Sequence, residues 1–465
     1  MKSRTTICIA AITLLAVFGI SVRLTAQNPP GPTHYRVIDL GTLGGSVSAA
    51  NTINNLGWAM GGSVNSSGNQ IATLWLYGLQ IPLGTVGGGA QSNVEWPNKN
   101  NFGLITGITN NGKPDPLGES FSCPAVGLIP GYSCVAFAWQ YGQMTQLPGL
   151  GGDNSIGAGD NDGGQIVGWA ENAVHDPSCA GVSAGNGADP PGTQYLQFEA
   201  AVWQKDRSGN WRVKQLPPYS TDPDSAATAI NDLGQIVGIS GRCDVALGSY
   251  SAIHSVLWQN GKPINLGSLG GSAWNTPESI NNRSVVVGFD NGPNDVINGQ
   301  LQFRFLAYVW TKQSGMVSLG TLPSLSGSGQ DSMSEATDIN DEGQIVGVSY
   351  ADYEFDGARA FIYQNGTMTA LNDLIGSASA NWDITSTGGI NDGGEIAAQA
   401  NPVVNGVVNF SVAHAVLLVP CDPGDPVAYG QTQRFAVPDA GEKQITKHVK
   451  VGHFMLTVKP QEGPE

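Results

Sequence analysis

Short apolar runs alternate along this chain with clusters of Gly, Asn, Asp and Pro, from about residue 35 to residue 418. No segment shows a sustained 3.6-residue apolar period with helix-capping signals. Short apolar runs bounded by turn residues predict strands. These runs also recur in a fixed order. "AINDLGQIVGIS" at 229–240 returns as "DINDEGQIVGVS" at 338–349, "GDNDGGQIVGWA" at 159–170 and "TINNLGWAMGGS" at 52–63. The pattern can be followed seven times, with its asparagine at Asn54, Asn100, Asn161, Asn231, Asn281, Asn340 and Asn391. Three residues later come Gly57, Gly103, Gly164, Gly234, Ser284, Gly343 and Gly394. Successive asparagines lie 46 to 70 residues apart, a period that signals a propeller or a solenoid.

The string has the chemistry of a β-hairpin. Asn and Asp side chains bond the local backbone, and glycine supplies positive φ. Strands are predicted on both sides, such as "SAATAI" and "QIVGIS" around Asn231. Six of the seven second strands hold a further glycine, such as Gly238 and Gly347. Glycine weakens a strand unless a neighbouring backbone must come close. A third apolar run follows each hairpin: "IATLW" at 71, "VAFAW" at 135, "EAAVW" at 199, "HSVLW" at 254, "LAYVW" at 306, "RAFIY" at 359 and "HAVLL" at 414. A leucine-type run such as "INLGSLGG" at 264 completes the unit. Only six of these follow the first hairpin; the seventh, "VIDLGTLGG" at 37–45, stands at the front.

That offset predicts an all-β, seven-bladed β-propeller of four-stranded blades. The N-terminal strand at 35–45, through Val37, Ile38, Leu40 and Leu43, completes the last blade beside 413–419. Closure of this kind removes exposed sheet edges. A β-solenoid is the alternative; it explains the repeat but not the offset, and it would show atypical capping units.

"DLGTLGG" at 39, "NLGSLGG" at 265, "INDLGQIVG" at 230 and "INDEGQIVG" at 339 resemble the HAF-type repeat of extracellular bacterial proteins, named for a His-Ala-Phe triplet. The resemblance covers roughly residues 35 to 418. It departs at the triplet itself, where His occurs only as His254 and His414 and Phe only as Phe137 and Phe361. It implies an exported repeat protein and carries no catalytic role.

The ends of the chain differ from the middle. Lys2 and Arg4 precede an apolar run at 7–20, too short to span a bilayer comfortably, which reads as a signal peptide over residues 1–26. An uncleaved anchor is the alternative. The repeat domain then occupies 27–419, and 420–465 reads as an appendage or a disordered tail. Removing 1–26 moves the net charge from −16 to −19, which argues against nucleic acid and anionic surfaces as partners. The mature chain has no predicted membrane span.

Five cysteines remain after processing, without C-x-x-C spacing. Cys123 and Cys134 bracket a stretch rich in Gly and Pro and are the first disulfide pair; Cys179 and Cys243 are the second; Cys421 is left over. Export permits such bonds.

No nucleophile elbow, zinc motif or phosphate loop is present. Six histidines are scattered, and His254 and His414, opening two third strands, read as packed or edge residues. Asp160 and Asp162 alternate as carboxylates do in calcium loops, but no acidic residue closes the loop, so a plain turn is preferred to a calcium ion. Insertions at 108–134, 171–198 and 290–305 are the places where loops on a rigid scaffold would bind. The resulting reading is a secreted or cell-surface, non-catalytic repeat scaffold that binds an extracellular glycan or protein. The alternative is a secreted glycan-active hydrolase or lyase with carboxylates gathered at the propeller axis.

Overall fold

The computed structural model describes residues 34–421 apart from 77, 120–122, 124–127, 180–193, 244–251, 272, 294–295, 298–299, 302–303, 326, 328 and 353–356, together with Gln433–Arg434, Lys447–Val451 and Phe454–Val458 of the tail. The signal-peptide boundary after Ala26 lies outside the described residues. No helix among them is long and apolar enough to cross a membrane.

Seven antiparallel four-stranded blades form a β-propeller. In blade 1, Gly44–Ile53 is innermost, followed outward by Ala59–Asn65, Gln70–Leu76 and Leu79–Pro82. Blade 7 is built from Trp382–Ile390, Ile396–Val404 and His414–Cys421, and its outer strand is His34–Gly41. The register runs from His34↔Cys421 to Gly41↔Ala415. Tyr35, Val37, Ile38 and Leu40 on this closing strand are buried. Leu43, expected as a further contact, lies past the end of the strand and is only half-buried; Tyr35 contributes instead. Gln433–Arg434 of the tail pairs in parallel with the other edge of the closing strand.

The core lies between blades. One apolar cluster joins Val167 and Ala200 of blade 3 to Ala227, Ile236 and Trp258 of blade 4. Another joins Ile38 and Leu40 of the closing strand to Ile53 and Trp75 of blade 1.

The turn asparagines show why this residue recurs. Each Oδ1 accepts backbone N–H groups of its own turn; Asn231 accepts from Leu233 and Gln235 at 3.1 and 3.0 Å. Each Nδ2 donates to the backbone carbonyl of the asparagine in the next blade, from Asn54 to Asn100, on to Asn161, Asn231, Asn281, Asn340 and Asn391, and back to Asn54. The ring closes, with distances from 2.7 to 3.2 Å. Aspartate has no donor for this place. The next residue needs only an acceptor, and there Asn and Asp interchange: Asn55, Asn101, Asp162, Asp232, Asn282, Asp341 and Asp392 each accept a backbone N–H from the preceding blade.

The second-strand glycines have the predicted cause. A Cβ on Gly238 or Gly347 would stand 2.0 Å from the carbonyl oxygen of Ala226 or Glu335 on the inner strand. The inner strand carries a β-bulge just there, between Ala227 and Ala229 and between Ala336 and Asp338, which drives its backbone against the partner.

Candidate functional site

The same bulges build a site. The skipped residues include Asn51 in blade 1, Glu278 in blade 5, Thr337 in blade 6 and Gly388 in blade 7, and all four line one cavity at the propeller axis. A bulge re-aims a side chain that regular pleating would bury between blades. Blade 2 reaches the axis differently. Between Ser92 and Asn100 it has two more residues than blade 1 has between Ser48 and Asn54. Its inner strand stops at Asn93, and the longer stretch carries Glu95, Trp96 and Pro97 into the cavity wall.

The cavity has a volume of about 540 Å³. Three glutamates from three blades face it: Glu95, Glu278 and Glu335. Amides of Asn51, Gln70, Asn93 and Gln399 surround them, with Val47, Val64, Trp96 and Pro97 as the apolar part. Among the described residues no Lys, Arg or His lines it. Each carboxyl is anchored. Asn51 donates to Glu95 at 3.0 Å, and Asn93 donates to its other oxygen. The Tyr350 hydroxyl donates to Glu335 at 2.6 Å, and Trp96 hydrogen-bonds to Glu278. Trp96 in turn packs edge-on against Trp169, centroids 5.1 Å apart.

Burial pushes the Glu278 carboxyl up to about 8, with the charge of Glu335 adding and the bond from Trp96 opposing. Burial likewise lifts Glu95 to about 8 against its bond from Asn93, and raises Glu335 against its bond from Tyr350. Desolvation dominates all three, as expected for carboxyls gathered without a cation. Such groups can give a hydrogen bond while protonated or hold a cation once ionised.

The opposite end of the axis is closed by the chain itself. Lys99 sends its ammonium to Asp338 at 2.5 Å and to the carbonyls of Ile390 and Ile53 at 2.9 and 3.4 Å. Above it stand the ring asparagines and their acidic neighbours. Asp160 and Asp162 belong to that end. Asp160 is buried and accepts the backbone N–H groups of Lys99 and Asn100 at 2.7 and 2.9 Å. Asp162 accepts that of Asn101 at 2.6 Å. Both carboxylates thus bind blade 2 to blade 3.

The cysteines lie away from the axis. Cys123 is bonded to Cys134, and Cys179 to Cys243; Cys421 belongs to neither bond. The insertions they staple pack on one another through buried polar groups. Asn154 bridges Asp115 and Glu171 at 2.7 and 3.0 Å, and Glu119 accepts the N–H groups of Tyr195 and Leu196 at 2.7 and 2.8 Å. Burial, reinforced by the charge of Glu119, lifts Glu171 to about 7.

His254 and His414 each place Nδ1 on a carboxylate, Asp222 at 2.8 Å and Asp39 at 2.9 Å. Ser240 also donates to Asp222, at 2.7 Å. This Ser-Asp-His group is structural: blade 6 repeats it as Ser349, Asp331 and Arg359, with an arginine that cannot act as a base.

The axial carboxyls escape sequence reasoning. Glu278 stands three places before a ring asparagine, where other copies have Asn51, Ala158, Thr228, Thr337 and Gly388, and only the bulge there turns it inward. Glu95 and Trp96 are marked by the longer spacing in blade 2. Glu335 carries no such signal.

Residues 271–415, from blade 5 to the third strand of blade 7, match a family described as "Protein of unknown function (DUF3466)". No curated protein matches the chain. Among solved structures the chain is similar to oligogalacturonate lyase from Vibrio parahaemolyticus, at 10% identity and a TM-score of 0.44, over 83% of this chain and 96% of that one. It is also similar to a gluconolactonase from Xanthomonas campestris, at 9% identity and a TM-score of 0.31, over 85% and 99%. The β-propeller domain of the Trilobed protease from Pyrococcus furiosus matches at 10% identity and 0.35, over 70% and 84%. At such identities the likeness concerns the fold alone.

Proposed function

We propose that this chain is an exported, non-catalytic binding propeller whose site is the axial cavity, where a small polar extracellular ligand is held. The observation that carries this reading is the convergence of Glu95, Glu278 and Glu335, from blades 2, 5 and 6, in one cavity with four amides and Trp96. Cavities of this size, part apolar with a few placed polar groups, are where proteins hold small molecules. Export is supported by the apolar run at 7–20 and by two disulfides. The resemblance of its repeat strings to those of HAF-type extracellular proteins supports the same reading.

The test is calorimetric screening of small polar compounds and oligosaccharides against the mature chain and against Ala49→Phe, which fills the cavity. Binding that survives Ala49→Phe unchanged would remove the cavity as the site.

The second reading is a glycan hydrolase or lyase at the same place. It is favoured by carboxyls held up to about 8, which are protonated at neutral pH and could serve as general acids. Release of reducing ends from glycans, abolished by Glu278→Gln, would establish it over simple binding.

A further inference from the structure

We infer that the axial cavity takes an organic cation, an ammonium or guanidinium group carried on a small partly apolar body. This rests on the cavity being the binding site, and it adds the chemical class of the ligand.

Charge is the first ground. Three carboxyl groups face the space, and no basic side chain among the described residues faces it with them. Once these groups ionise, an anion would be repelled on entry. A neutral polyol could bond to the carboxyls but would leave them desolvated once ionised. A cation compensates them directly.

The second ground is an orphaned acceptor. Asn93 lines the cavity and is 1% exposed. Its Nδ2 is used by Glu95, which fixes the amide the other way round, and its Oδ1 has no hydrogen-bond partner. A buried carbonyl oxygen of this kind costs stability until a donor reaches it. Ammonium and guanidinium groups bring several donors and no acceptor, so one group can serve Asn93 and the carboxylates together. Gly62 leaves room for this oxygen, since a Cβ there would stand 2.3 Å from it.

The third ground is the other end of the axis. There the chain already houses an alkylammonium, that of Lys99, on one carboxylate and two backbone carbonyls. The same axis therefore accommodates such a group when oxygen acceptors surround it. At the cavity end the acceptors are present and no lysine among the described residues fills them.

Size and lining separate an organic cation from a metal ion. About 540 Å³ is far more than a single ion needs. Val47, Val64 and Trp96 would make poor surroundings for a hydrated ion, but they suit an alkyl body, with the indole adding attraction for the charge.

The protonation of the site gives the inference a readout that does not depend on any activity. The groups facing the cation are Glu95, Glu278, Glu335 and, through Glu335, Tyr350. Elsewhere on the axis Lys99 is already paired with Asp338. With Glu95 and Glu278 held up to about 8, a bound cation must displace protons. Below pH 8 its affinity should rise up to about tenfold per pH unit for each proton released, and level off above that.

The experiment uses the mature chain in calorimetric titrations at pH 6, 7, 8 and 9. The probes are agmatine and putrescine, with 1,4-butanediol, succinate and calcium chloride as controls. Expected results are saturable binding of at least one amine and none of the diol or dianion. Affinity should rise with pH. Proton release should be seen as a buffer-dependent heat, and affinity should fall about tenfold or more in Glu278→Gln. Failure of both amines to bind at millimolar concentration, binding that weakens as pH rises, or binding of calcium alone would each overturn the cation. A neutral or anionic compound that binds the parent but not Ala49→Phe would overturn the cation and leave the cavity as the site. Amine binding unchanged in Ala49→Phe would overturn both.

Discussion

The side-chain amide of Asn340 donates to the backbone carbonyl of Asn391 at 2.9 Å, across the joint between blades 6 and 7. Asn340 thereby ends one hairpin and begins the contact to the next. One residue on, Asp341 does half of this work: it accepts the backbone N–H of Asn282 at 2.8 Å and donates nothing.

Exchanging the two side chains should expose the difference. Asn340→Asp removes the donor and sets an oxygen against the Asn391 carbonyl in a buried place. The expected loss is about 2 kcal/mol or more. Asp341→Asn keeps the acceptor at a half-buried position and should cost about 0.5 kcal/mol or less. The loss in Asn340→Asp should shrink at acid pH, where a protonated carboxyl can donate again. Equal urea midpoints for the two variants at pH 7 would remove the ring of amides as a source of stability.

Much of this architecture is legible in the sequence because it rests on local chemistry. The turn at Asn231–Gly234 needs an amide and a positive φ, and the count of strands requires the closing strand at Val37. The inward turn of Glu278 is not legible. Whether it faces the axis or a neighbouring blade depends on a bulge at one residue, and a shift of one residue reverses every side chain of a strand. The buried polar contacts of the insertions escape the sequence for a similar reason. Nothing in the local pattern says that Asn154 will meet Asp115 and Glu171, because those contacts join segments far apart in the chain.

Two glycines of one repeat should respond differently to alanine. Gly343 has φ +83 and open space where an alanine methyl would stand, so Gly343→Ala costs only backbone strain, about 1 kcal/mol. Gly347 has ordinary φ, but a Cβ would stand 2.0 Å from the Glu335 carbonyl and 2.6 Å from the Phe361 ring. Gly347→Ala should cost on the order of 3 kcal/mol or more. Because Glu335 must shift, ligand affinity at the axis should fall as well. Thermal melts and titration of the same two variants read both effects.

Stability should fall as pH rises from about 5 to 9. Glu95 and Glu278 have an ordinary value of 4.5 when unfolded and are held up to about 8 in the fold. Their contribution is therefore complete below the unfolded value and lost as pH passes through the folded one. The acidic net charge of −16 acts in the same direction through self-repulsion. Glu278→Gln separates the two causes, since it removes a titrating group from the axis and barely changes net charge. The slope of melting temperature against pH should flatten in that variant, and an unchanged slope would place the effect elsewhere.

The two disulfides should contribute unequally. Cys123–Cys134 closes a separation of 11 residues and Cys179–Cys243 one of 64. Chain entropy then assigns them about 3 and about 4 kcal/mol. Cys179→Ala/Cys243→Ala should lower the denaturant midpoint more than Cys123→Ala/Cys134→Ala. Peptide mapping without reduction that recovers Cys123 as a free thiol would refute the first bond outright.

The closing strand carries the strongest expectation. His34–Gly41 is the outer strand of blade 7 and pairs with His414–Cys421 along its whole length. Tyr35 and Val37 are fully buried, and Ile38 and Leu40 nearly so. Val37 belongs to the core shared by blades 6 and 7, while Ile38 and Leu40 belong to the core shared by blades 7 and 1. One strand thus supports two inter-blade joints. Asp39 on the same strand meets His414 at 2.9 Å, so its loss also unpairs a side chain of blade 7. Burial of four such side chains is worth on the order of 5 to 10 kcal/mol gross, comparable with the net stability of a domain. Deleting residues 34–41 should therefore cause unfolding or aggregation through the bared edge of His414–Cys421. Val37→Ala should lose about 1 to 3 kcal/mol, and Leu43→Ala, outside the strand and half-buried, should lose clearly less. Melting curves and size-exclusion profiles of the three variants give the ranking, and a deletion that melts and elutes as the parent does would show that the ring holds without its closing strand.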